Sequence, residues 1–306
     1  MPRDVTVCSV ADMKYHFGSH GRTADLQAKG FPVISGQPNV RMEFTWLLVP
    51  VGYSTPRHHH CFDQIRYVMK GEFGVGKGFE IDEGQVAYFP EGVNYGPQNQ
   101  TQDCIALILQ FPGPSGIEYL THKQLHDAQA ELEAAGGKFE NGIYTRFTAD
   151  GRKINMDSHK ACWEHVTRRT LTFPKGRHRQ PIVMLPENYG WVPDRRLAGV
   201  EHKHLGTFGE MRTGMSFVRL AAGAKLPAGH QEDAEIRYLI DGSVTYGGTR
   251  WQGGMSDSEG VYFYIPNDCA VKETVAEKGA TFFVISLPMM AEMEAKHRRG
   301  ALAGAA

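Results

Sequence analysis

Gln64-Ile-Arg66-Tyr-Val-Met-Lys-Gly71 returns later in the chain as Glu235-Ile-Arg237-Tyr-Leu-Ile-Asp-Gly242. The upstream glycines Gly52 and Gly223 keep the same displacement, and Gly84-Gln-Val-Ala-Tyr-Phe-Pro90 returns as Gly260-Val-Tyr-Phe-Tyr-Ile-Pro266 with five more residues between. An insertion in the intervening hairpin accounts for the change. Fixed-period self-similarity marks a repeated structural unit. Short β-branched and aromatic runs such as Phe44-Thr-Trp-Leu-Leu-Val and Cys104-Ile-Ala-Leu-Ile-Leu, punctuated by 35 glycines and 16 prolines, read as strands of a sandwich or barrel. Helical spacing is confined to the middle: Leu125, Ala128, Leu132 and Ala135 before Gly136, and a shorter stretch from Asp157 to Arg168. The expected plan is a β-rich domain over 1–115, a partly helical connector over 116–180 with its own strand and turn, and a second β-rich domain over 181–306.

At 306 residues two domains with real cores are expected. Thirty-three basic and 34 acidic side chains leave a net charge of −1, so no field favours nucleic acid or an anionic membrane. A small molecule is the expected partner. No apolar run approaches a membrane-spanning length and the first residues lack a signal-peptide pattern, so a cytoplasmic protein is expected. The five cysteines are scattered without a Cys-x-x-Cys pair, so reduced thiols are expected.

Just upstream of the repeat, His58-His59-His60 precedes Gln64. Side chains on a strand alternate, so His58 and His60 share a face and His59 turns away. Two imidazoles on one face form half a metal site, and the amide oxygen of Gln64 offers a third donor. A bare His-x-His also suits an exposed or internally hydrogen-bonded pair. Arg66 follows Gln64 on the same face, where a buried guanidinium needs an acidic partner or an anionic substrate. Because Arg237 keeps its place in the second copy, an internal ion pair is the first expectation for Arg66 and a carboxylate clamp the second.

In these residues the chain resembles the cupin superfamily. Its first motif is Gly, five residues, His-x-His, three or four residues, Glu, six residues, Gly. Gly52, His58, His60, Gln64 and Gly71 follow it with Gln in place of Glu. The second motif is Gly, five residues, Pro-x-Gly, two residues, His, three residues, Asn. Gly84, Pro90, Gly92, Tyr95 and Asn99 follow it with Tyr95 in place of His.

The resemblance implies an all-β bicupin, two double-stranded β-helix barrels of jelly-roll type joined by the connector. It implies a divalent metal on His58, His60 and Gln64, with Tyr95 as a fourth ligand, a hydrogen-bond donor behind the ligands or a pocket wall. Iron(II) comes first, and manganese, nickel or zinc suit the same donors. Loss of the Glu charge would leave a bound ion more polarising and favour an anionic or enolisable substrate. Bicupins of this kind include ring- and diketone-cleaving dioxygenases, the first activity expected, with Tyr95 and Arg66 as catalytic candidates. A redox-neutral lyase or isomerase is the second, since cupin hydroxynitrile lyases accept Gln at this place, and a non-catalytic ligand-binding protein is the third. Barrel edge strands commonly pair across a two-fold axis, so a homodimer is expected.

In the second copy the metal positions read Gly229, Gln231, Glu235 and Val271, so that half is expected to hold no metal. A rival pair, His202 and His204, lacks the motif context. Gly74-Val-Gly-Lys-Gly78 lacks dinucleotide-binding spacing, and no nucleophile elbow, Walker loop or His-Glu-x-x-His occurs.

Overall fold

A computed structural model describes residues 4–18, 26–30, 41–290 and 292. The remaining stretches of the expected domains, including the first three residues and those beyond 292, lie outside the described residues. The described chain divides into two compact units. One holds residues 15–18, 26–30 and 41–183, and the other holds 4–14 and 184 onward. Both are built on antiparallel sheet, and the fold is all-β.

In the first unit, strands Val86–Phe89, Phe62–Lys70, Cys104–Pro112, Glu43–Val49, Leu26–Gly30 and His16–Gly18 lie side by side in that order. In the second, Val261–Ile265, Ala234–Tyr246, Thr274–Leu287, Thr213–Leu220 and Val200–Phe208 do the same, with Thr6–Ser9 pairing onto Val261–Ile265. The chain's first strand therefore completes the second unit rather than the first.

The internal repeat holds at the level of register. Arg66 lies opposite Ala87 and Ile108, and Arg237 lies opposite Phe263 and Val284. His58 bridges Tyr95, and Gly229 pairs with Val271. The extra residues of the second copy fall after the hairpin strand Thr249–Gln252, in the loop leading to Gly260, and not within the hairpin. Each unit closes over its own apolar core, with Leu47, Val68, Phe73, Ile81 and Phe89 in the first and Leu220, Leu239, Val244, Phe263 and Phe282 in the second.

Residues 116–180 pack entirely within the first unit. Helix α1 (His122–Ala134) starts with a capping box, in which the Thr121 side chain accepts from the Gln124 backbone and the Gln124 side chain accepts from the Thr121 backbone. Helix α2 (Ser158–Thr167) is capped by Asp157 and ends on Arg168 in the left-handed conformation. Between them Lys138–Glu140, Ile143–Phe147 and Lys153–Asp157 form a small antiparallel sheet. Leu125 and Ala128 of α1 and Cys162 and Trp163 of α2 bury against Cys61, Phe62 and Tyr119. No helix among the described residues is long and apolar enough to cross a membrane.

The repeated glycines Gly71 and Gly242 have one shared cause. Both have positive φ, +77° and +80°, and a Cβ at either would lie 2.3 Å from the Asp103 carbonyl oxygen or 2.1 Å from that of Gly279. Each lets a long strand turn against the backbone beside it. Gly52 also has positive φ, +83°, but faces open space. Gly71→Ala and Gly242→Ala should each destabilise the protein by about 2–4 kcal/mol, and Gly52→Ala by about 1 kcal/mol. Urea unfolding checks this ranking, and equal losses at all three positions would refute the close-approach explanation.

Candidate functional site

His58 and Tyr95 exchange two backbone hydrogen bonds, each N–H donating to the other's carbonyl at 3.0 Å. This bridge lies outside the regular strands, yet the extended chain keeps its alternation. His58 and His60 line one pocket, while His59 packs edge-on against Phe173 at 4.3 Å and lies 3.3 Å from Asn94 Oδ1. His58 Nδ1 is 2.7 Å from the Pro56 carbonyl, which can only accept, so Nδ1 carries a proton and Nε2 is the nitrogen not held by that carbonyl. The His58 and His60 rings sit 5.0 Å apart, nearly perpendicular.

Around Tyr95 the hydrogen bonds assign themselves. Arg66 Nη2 donates to the phenolic oxygen at 2.9 Å and Gln64 Nε2 donates to it at 3.3 Å. With both lone pairs engaged, the hydroxyl gives its proton to His60 Nε2 at 2.7 Å. Arg66 Nη2 also donates to Gln64 Oε1 at 3.0 Å. A guanidinium cannot accept, so this contact fixes the amide orientation and turns the Gln64 oxygen toward Arg66 rather than toward the imidazoles. Sequence spacing offered that oxygen as a metal donor; here it holds the guanidinium.

Arg66 is 5% exposed and has no acidic partner among the described residues. Its Nε and Nη1 are buried without hydrogen-bond partners. Its guanidinium carbon lies 4.2 Å from the Phe89 ring centroid and 4.7 Å from that of Phe73. The first expectation, an internal ion pair, is not what the residues form. Each ring face contributes about 2 kcal/mol to a desolvated cation, which offsets part of the several kcal/mol that burying an ion without a counter-ion costs but leaves its charge uncancelled. The positive charge is felt nearby: burial raises the Tyr53 phenol well above its ordinary value and the Cys104 thiol to about 12, with Arg66 opposing in both cases.

These side chains open on a cavity of about 80 Å³. Thr45, Leu47, Gln98, Ile108 and Gln110 complete its walls, and His122, the first residue of α1, stands at its edge. His122 is held by Glu43, which accepts from its backbone N–H at 2.9 Å and lies 3.2 Å from its Nδ1. At about 30 Å³ per water in the liquid, the space suits two or three waters or a small organic molecule.

As a metal site the residues fit on one condition. Nε2 of His58, Nε2 of His60 and the oxygen of Tyr95 make two imidazoles and a phenolic oxygen, a set suited to a divalent transition ion. No three His, Cys, Asp or Glu side chains among the described residues form a metal-binding group, so an ion here needs a donor beyond the two imidazoles, and with the Gln64 oxygen accepting from Arg66 the Tyr95 oxygen is the one beside His60.

At the equivalent places of the second unit other pairings are made. Glu235 pairs with Arg237, and His230 turns to Asp268 at 3.1 Å. The rival histidines do not converge: His202 pairs with Asp194 at 2.9 Å, and exposed His204 bonds Thr207 at 3.3 Å.

Several supporting residues carried no sequence motif. Tyr53, Gln110 and His122 reach the pocket from three separated segments. Behind it, buried Asp63 accepts from Tyr88 Oη at 2.6 Å and from the Glu91 backbone at 2.8 Å. Buried Glu91 accepts from Ser115 N and Oγ at 2.9 and 2.6 Å and from Arg177 at 3.1 Å. This clasp holds the Glu91–Gly92 loop, whose Gly92 N–H donates to the His60 carbonyl at 2.8 Å. An acidic residue beside each motif is too common a pattern for the sequence to have flagged it.

Residues 179–290 match the family model described as the ChrR cupin-like domain, a stretch that includes the second unit's strands from Val192–Pro193 to Thr274–Leu287. No curated protein matches the chain. Among solved structures, a candidate dioxygenase from Nostoc punctiforme is similar over 95% of this chain and 85% of its own, at 13% identity and a TM-score of 0.59. Oxalate decarboxylase from Bacillus subtilis is similar over 92% of this chain and 75% of its own, at 14% identity and a TM-score of 0.52. A further structure of that enzyme, described with Mn(II) centres, matches at 13% identity over 92% and 76%, with a TM-score of 0.50. At such identities the likeness shows the fold, that of cupin barrels, and leaves function to the site.

Burial raises the Asp63 carboxyl to about 6, against the opposing hydrogen bonds from Tyr88 and the Glu91 backbone. A raised folded-state value means stability that is full below about pH 4 and lost as pH rises through about 6. Relative to Asp63→Asn, the parent protein should lose about 2–3 kcal/mol between pH 4 and pH 7. Paired denaturant titrations at the two pH values check this, and a parent that gains on the variant as pH rises would contradict it.

Proposed function

We propose that the first-unit pocket is the active site of a metal-dependent enzyme acting on a small anionic or enolisable organic molecule, and that its reaction is a dioxygenation. The observation that carries this reading is the convergence of His58, His60 and Tyr95 on one small, largely buried cavity. The whole-chain likeness to a candidate dioxygenase supports the choice of reaction, and the Mn(II) centres described for oxalate decarboxylase support a divalent ion.

His58, His60 and Tyr95 would hold the ion, iron(II) in the dioxygenase reading. A bound divalent ion supplies Lewis-acid activation of a substrate oxygen and, as iron(II), one-electron chemistry with dioxygen. The chain's own residues do the rest. The Pro56 carbonyl holds the His58 ring in the tautomer that presents Nε2. Gln64 and Arg66 fix the Tyr95 oxygen against His60. Leu47, Phe73 and Ile108 keep the walls apolar, and Gln110 and His122 offer polar contacts to a bound molecule.

Protein purified without an affinity tag should carry close to one transition-metal ion per chain, and His58→Ala/His60→Ala should carry less than about a tenth of that. After iron(II) loading, oxygen uptake with pentane-2,4-dione, catechol or pyruvate should fall at least about 100-fold in the double variant. Absence of metal from the parent sinks the enzyme reading. Metal-dependent turnover that continues without oxygen, and equally with zinc, replaces dioxygenation by redox-neutral chemistry.

A further inference from the structure

The two units place the same strand in the same register with one telling difference. In the second, Glu235 and Arg237, two residues apart, form an ion pair through the carboxylate and the guanidinium Nε. In the first, the equivalent residues are Gln64 and Arg66, and both are more deeply buried, at 1% and 5% exposure. Arg66 uses one nitrogen, Nη2, for Gln64 and Tyr95, while Nε and Nη1 have no hydrogen-bond partner. Arg66 is one of the cavity-lining residues, with its Nε and Nη1 buried among the walls, and none of those residues is a carboxylate.

We propose that Gln64 serves to withhold an internal counter-ion from Arg66, so that the carboxylate of a small organic ligand becomes that counter-ion. A neutral amide holds the guanidinium in place by accepting one hydrogen bond without cancelling its charge. A glutamate at 64 would pair with Arg66 as Glu235 pairs with Arg237 and would satisfy the charge that otherwise selects the ligand. An unsatisfied buried cation is costly in the empty protein, and that cost is relieved when an anion enters, so the charge favours anionic over neutral ligands of the same shape. With a cavity of about 80 Å³, room for two or three waters, the ligand class is a short monocarboxylate. The inference deepens the reading of this pocket as the substrate site and rests on it, but it needs no bound metal.

The test uses the full chain, as purified and again after chelation, in chloride-free buffer, with acetate and pyruvate as probes and acetamide as the neutral isostere. Calorimetric titration should show acetate or pyruvate binding with and without metal, and acetamide at least tenfold weaker. Gln64→Glu and Arg66→Met should each weaken carboxylate binding at least tenfold. Gln64→Glu should melt no lower than the parent, because it gives the buried Arg66 cation an internal partner as Glu235 gives Arg237; a Gln64→Glu variant that melts lower than the parent would contradict an unpaired charge at Arg66. Carboxylate binding by Gln64→Glu equal to the parent's overturns the inference, as does equal binding of acetamide or no carboxylate binding by the parent. Metal content separates the two proposals. If Gln64 instead stood in for a metal-binding glutamate, Gln64→Glu would gain metal and keep its ligand. A parent that binds pyruvate but carries no metal would sink only the catalytic reading.

Discussion

The pocket depends on two backbone hydrogen bonds between His58 and Tyr95. They join two loop segments at the end of the sheet and bring the two side chains to a ring separation of 4.5 Å. Extended geometry then carries His60 to the same side and His59 away. Gly229 and Val271 make the same pairing in the second unit, where neither side chain can bind an ion or exchange a proton. One backbone frame thus occurs twice, and the side chains hung on it differ in the donors they present.

The second constraint is charge. A guanidinium enclosed by Phe73, Phe89 and Tyr95, with only an amide oxygen and a phenol as hydrogen-bond acceptors, is a poor way to stabilise a barrel. Natural proteins accept such a loss at sites that work on ligands, where stability and activity pull apart. The second unit pairs its arginine with Glu235 and so avoids the cost. Arg66 also bears on Tyr53 and Cys104, so its field extends through the first barrel's interior.

The connector supplies more than a link. Its capped helix α1 sets His122 at the cavity edge, Phe173 covers the outward face of His59, and Arg177 joins the carboxylate clasp behind His60. At Gly92 a Cβ would lie 2.3 Å from the Pro174 carbonyl, which shows how closely this segment lies on the loop it holds. The family-model match, by contrast, lies over the second unit's strands, away from the side chains that carry the proposed chemistry.

The sequence by itself determined the doubled β unit, the helical stretches between, and the shared face of His58 and His60, because all three follow from local periodicity and repetition. It also marked Gly71 and Gly242 as equivalent. Only the tertiary structure decided that the Gln64 oxygen turns to Arg66, that Tyr95 gives its proton to His60, and that Thr6–Ser9 belongs to the second unit. Each of these depends on groups far apart in the chain meeting at hydrogen-bond distance. A carboxylate at 235 and an amide at 64 look like a minor substitution in a motif; their burial beside an arginine, with and without a counter-ion, makes them electrostatic opposites.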